Sequence, residues 1–67
     1  MNFVKIGKTF QEAREEQGLT QAQVAKKASL STNWYARFER GEETASAKTI
    51  ERIAKVLKIK SLDILSF

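Results

Sequence analysis

The sequence predicts an all-α domain: five short helices around one small apolar core. Two observations carry this. Apolar residues recur at helical spacing in one segment after another, and no stretch alternates apolar with polar for more than a few residues. Proline is absent, so boundaries are read from Ser and Thr caps and from three glycines. With 67 residues the chain is a single domain, 1–67, near the lower size limit for independent folding.

The first element is expected over Ile6 to Gln17, where Ile6, Phe10 and Ala13 share a face and Gly18 closes the helix. Thr20 caps "QAQVAKKA", with Gln23 completing a capping box and Val24, Ala25 and Ala28 facing inward. Ser31 opens a third helix running to about Arg40, closed by Gly41. Ser46 caps the fourth, whose Ile50, Ile53, Ala54 and Leu57 repeat at i, i+3, i+4 and i+7. Ser61 caps a short fifth helix carrying Leu62, Ile64 and Leu65.

Composition narrows the function. There is no cysteine and no histidine, which removes disulfides, thiolate chemistry, the commonest zinc sites and the usual general base. No metal, cofactor or small-molecule ligand is expected. The chain is too small to enclose a large cavity, and its densest carboxylates, Glu12, Glu15 and Glu16, read as a solvated helix face, so an enzyme is not expected. No apolar run is long enough to cross a bilayer, and "MNFVKIGK" lacks the apolar core of a signal peptide; the reading is a soluble, cytoplasmic protein. The net charge of +4 is compatible with nucleic acid and equally with an ordinary soluble domain.

The third helix carries most of the functional information. At 100° per residue, Tyr35 and Phe38 fall within about a sixth of a turn of each other and form the inward edge. Asn33, Ala36, Arg37 and Arg40 lie opposite, with Thr32 at one margin and Trp34 at the other. Asn can pair with adenine and Arg with guanine through the edges exposed in a major groove, and Thr can bond to a base or touch a thymine methyl. A polar face alone is also simply a solvated surface.

The segment "LTQAQVAKKASLSTNWYARFERG" resembles the helix-turn-helix of the lambda-repressor and Cro family, XRE-like bacterial and phage transcriptional regulators. "GLTQ", Ala25, "ERG" and the "I-A-K-x-L" run of Ile53 to Leu57 occur in the family's order and spacing. The resemblance implies a compact, five-helix lambda-repressor-like domain binding double-stranded DNA. Helices two and three would form the helix-turn-helix, the third entering the major groove. Thr32, Asn33 and Arg37 match base-reading positions, and Gln21, Arg40, Ser46 and Lys48 match backbone-binding ones. Trp34 and Ala36 are further candidates for DNA contact. Arg14 and Glu39 match a structural ion pair. Ile64, Leu65 and Phe67 are candidates for a homodimer interface, or simply close the core.

Three departures from the family pattern stand out. Glu42 and Glu43 replace the basic residues often found after the closing glycine, so this loop either points away from DNA or weakens binding. Ala45 stands where proline is frequent, and the fourth-to-fifth connection "KIKSL" is one residue longer than usual. Trp34 is larger than usual for its position; it packs at the domain edge, lies on the DNA backbone or stacks on Arg37. The leading function is a sequence-specific transcriptional regulator, a repressor. The alternative is an antitoxin-like module that holds a partner protein, a toxin, and that can also bind its own operator.

Overall fold

The computed structural model describes residues 2–59, and among these there are four helices: α1 (Phe3–Glu16), α2 (Gln21–Lys27), α3 (Thr32–Glu39) and α4 (Ala47–Leu57). The fifth helix expected from Ser61 lies outside the described residues. Helix α1 begins three residues before the expected Ile6. The reason is Asn2, whose side-chain oxygen accepts from the backbone N–H groups of Val4 and Lys5 at 3.1 and 3.2 Å. None of the described helices is long and apolar enough to cross a membrane.

The other starts follow the expected caps. Thr20 and Gln23 form a reciprocal capping box, Gln23 N–H donating to Thr20 Oγ1 at 3.1 Å and Thr20 N–H to Gln23 Oε1 at 2.8 Å. Ser31 accepts from Trp34 N–H, and Ser46 from Thr49 N–H. All four helices end by one device, a left-handed residue followed by a backbone bond reaching back five residues. The closing bonds are Leu19 N to Arg14 O, Leu30 N to Ala25 O, Glu42 N to Arg37 O and Ile59 N to Ala54 O, between 2.8 and 3.1 Å. Glycine supplies the left-handed residue at Gly18 and Gly41, whereas Ser29 and Lys58 adopt it at φ 59° and 58°.

Helix α1 packs on α3 and α4, and α2 packs on the same two helices. The core comprises Ile6, Phe10, Val24, Ala25, Ala28, Tyr35, Phe38, Ile50, Ile53, Ala54 and Leu57. Phe38 is its aromatic centre, with the rings of Phe10 and Tyr35 at 5.3 and 6.0 Å. Gly7 brings α1 onto the end of α3: a β-carbon there would stand 2.5 Å from the carbonyl oxygens of both Phe38 and Glu39. Only the absence of a side chain permits this approach.

Candidate nucleic-acid interface

Burial divides α3 as its periodicity requires. Tyr35 and Phe38 are fully buried, while Thr32, Asn33 and Arg40 are exposed and Ala36 and Arg37 partly so. Asn33, Ala36, Arg37 and Arg40 fall at i, i+3, i+4 and i+7 and occupy one outward stripe. The apolar side fixes the helix to α1 and α2, leaving the polar side available to a partner.

A part-buried polar network ties the end of α3 to α1 and α2. Arg14 donates to Glu39 through Nε at 2.7 Å and Nη2 at 3.1 Å, and its Nη1 donates to the Leu19 carbonyl at 2.9 Å. Gln21 Nε2 donates to Glu39 Oε1 at 3.0 Å. One carboxylate therefore joins α1, the start of α2 and the end of α3. Burial pushes the Glu39 carboxyl up, but the hydrogen bonds from Arg14 and Gln21 outweigh it and hold it below its ordinary value. The Tyr35 hydroxyl is buried nearby without a hydrogen-bond partner; burial and the adjacent Glu39 charge push its pKa well up.

The candidate backbone-binding residues are differently placed. The Gln21 amide is turned inward, onto Glu39. Ser46 and Lys48 are exposed at the start of α4, where Ser46 Oγ accepts from Thr49 N–H and donates to Thr49 Oγ1 at 3.0 Å. Thr49 is thus a polar residue of this corner that sequence reasoning passed over; its spacing, three residues after the cap, is the signal.

Both outward arginines of α3 are engaged by the loop that follows. Arg40 grips Glu42 through Nε at 2.9 Å and Nη2 at 3.1 Å, and Arg37 Nη2 lies 2.7 Å from Glu43 Oε2. The carboxylates of this loop fold back over the C-terminal end of α3. Trp34 does not stack on Arg37. Its ring lies against Phe38, centroids 5.4 Å apart and planes inclined by 8°. Ile64, Leu65 and Phe67 lie outside the described residues.

Two short helices joined by a four-residue turn, the second anchored by its apolar face and presenting a polar stripe, define a helix-turn-helix protein. Residues 10–65 match the helix-turn-helix family, and the chain belongs to it. The expectation raised by "GLTQ" and "ERG" therefore holds at the level of the family.

The immunity repressor protein of Bacillus phage phi105 is 38% identical over 55 residues, covering 82% of this chain and 38% of the repressor. The chain thus spans well under half the length of that relative. Among solved structures, the restriction-modification controller protein C.AhdI from Aeromonas hydrophila superposes with a TM-score of 0.87 at 28% identity, over 94% of this chain and 91% of that one. The controller protein C.Esp1396I gives 0.86 at 24% identity, over 98% and 85% of the two chains, a likeness of fold.

Proposed function

We propose that this chain is a sequence-specific double-stranded-DNA-binding transcriptional regulator, acting as a repressor without catalytic activity, in the cytoplasm. The observation that carries the reading is the division of α3, with Tyr35 and Phe38 fully buried and the stripe of Asn33, Ala36, Arg37 and Arg40 turned outward. In this reading α3 lies in the major groove. Thr32, Asn33 and Arg37 reach base edges, while Arg40, Ser46 and Lys48 hold phosphates and fix the register. Trp34 and Ala36 border the groove. Gln21 contributes by holding Glu39, and its inward-turned amide would have to share itself to reach a phosphate as well.

One module of this size makes few base contacts, so two copies on a palindromic site are the functional unit. Half-sites are then expected about 10–10.5 base pairs apart, or at multiples of that spacing. Ile64, Leu65 and Phe67 remain the proposed dimer contacts. Selection from a randomised duplex library tests the reading directly, because enriched sequences give both the half-site and the spacing. Failure to enrich any duplex at low salt would sink it.

A further inference from the structure

We propose that Glu42 and Glu43 set the sequence discrimination of this domain by occupying Arg40 and Arg37 in the free protein. The proposal rests on the DNA-binding reading above. A duplex that offers only scattered phosphates must displace carboxylates already in place, whereas a cognate site replaces both arginine contacts with better ones.

The geometry is that of a competitor. Arg40 meets Glu42 with two near-parallel N–H donors, at 2.9 and 3.1 Å, the same fork that a guanidinium offers a phosphate. Arg37 meets Glu43 at 2.7 Å through one terminal nitrogen only. The closed state is therefore incomplete for Arg37. A guanine edge accepts two bonds from an arginine, so a matching base satisfies Arg37 better than Glu43 does.

The backbone fixes the carboxylates where they act. Gly41 N–H donates to Phe38 O at 3.0 Å and Glu42 N–H to Arg37 O at 2.9 Å, which turns the chain back across α3. Gly41 sits so close to α1 that a β-carbon there would meet Val4 at 2.8 Å, so the turn is clamped from behind. Folding stability does not account for the two acids. Carboxylates at a helix C-terminus oppose its dipole, and exposed ion pairs contribute little to stability, Arg40 and Glu42 side chains being 55% and 54% accessible and Arg37 and Glu43 42% and 28%.

The test compares the double variant Glu42→Gln, Glu43→Gln with Glu12→Gln, Glu16→Gln, which removes the same charge from exposed positions on α1. Binding to the selected duplex and to random-sequence duplex is measured across a salt series. The loop variant is expected to bind random duplex roughly tenfold tighter than the α1 variant, with a lower ratio of selected to random affinity and a salt slope steeper by about one or two. Equal behaviour of the two variants overturns the proposal while leaving the DNA-binding reading intact. No binding by parent or either variant overturns that reading, and the proposal with it. In the free protein, the Glu42 carboxyl followed by carbon-13 NMR is expected to titrate below its ordinary range because Arg40 pairs with it; an unshifted titration also overturns the proposal.

Discussion

Trp34 lies almost parallel to Phe38, ring centroids 5.4 Å apart, so the bulky residue at the margin of α3 extends the core rather than the polar stripe. Phe38 is fully buried between Phe10 and Trp34, and the stack roofs this end of the domain. Replacing Trp34 by Ala removes both area and stack and should lower stability by about 2 kcal/mol, less than for a fully buried aromatic. Trp34→Phe keeps a stacking ring and should cost under about 1 kcal/mol. Urea unfolding followed by circular dichroism checks both; an Ala variant as stable as the parent would show the stack to be incidental.

Gly7 and Gly18 separate two kinds of glycine requirement. At Gly7 a methyl group would collide with the backbone of Phe38 and Glu39, which cannot swing aside as a flexible side chain would. At Gly18 the space is open and only the positive φ of 68° resists a side chain. Gly18→Ala should therefore cost about 1–2 kcal/mol, whereas Gly7→Ala must push α1 off α3 and should cost more than that. Thermal melts of the two variants give the order, and the reverse order would contradict the close packing of α1 on α3.

The Arg14–Glu39 pair makes the fold acid-sensitive. The folded-state pKa of Glu39 is held below its unfolded value, so its contribution is fully present above the ordinary carboxylate range. That contribution is lost as pH falls through the depressed folded pKa. Glu39→Ala leaves Arg14, whose side chain is 12% accessible, without its partner and should destabilise by about 3 kcal/mol at neutral pH. Stability of the parent should drop between about pH 5 and pH 2, and the variant should show a shallower drop; parallel pH profiles would assign the acid sensitivity to other carboxylates.

Ser29 and Lys58 pay for left-handed backbone that a glycine adopts freely. Ser29→Gly and Lys58→Gly should each stabilise by about 0.5–1 kcal/mol, seen as higher melting temperatures. Unchanged or lower melting temperatures would mean that the native side chains return the strain through contacts of their own.

Helix caps and periodicity make most of this architecture legible in the sequence. Thr20, Ser31 and Ser46 open their helices, and the described inward residues chosen by spacing are buried, except Ala13, which is partly so. Part of what escaped depends on elements distant in sequence. Gly7 looks like an ordinary helical residue until α3 is laid against it. Asn2 caps α1 ahead of the apolar spacing, which starts only at Ile6. The inward turn of Gln21 and the closure of Glu42 and Glu43 over the arginines are likewise set by how α3 and its loop fold back. The polar stripe on α3 could be read from phase alone, but the partners already engaged with it could not.

Arg37 and Arg40 share a face yet should fail in different ways. In the proposed complex Arg37 points to a base edge, so Arg37→Ala should cost about 1–3 kcal/mol on the selected site and relax preference at one or two base pairs. In the same proposed complex Arg40 meets a phosphate, so Arg40→Ala should weaken all duplexes by similar factors and reduce the salt slope by about one. Each truncation also leaves a carboxylate of the loop unpaired, Glu43 in the first case and Glu42 in the second, which adds repulsion from DNA. That added repulsion is independent of sequence, so it enlarges both losses without erasing the difference between them. Fluorescence anisotropy on the selected duplex, its single-base variants and a random duplex separates the two patterns. If Arg37→Ala lost affinity equally on every duplex, α3 would be docked with Arg37 on the backbone and the assignment of base readers would have to shift toward Thr32 and Asn33.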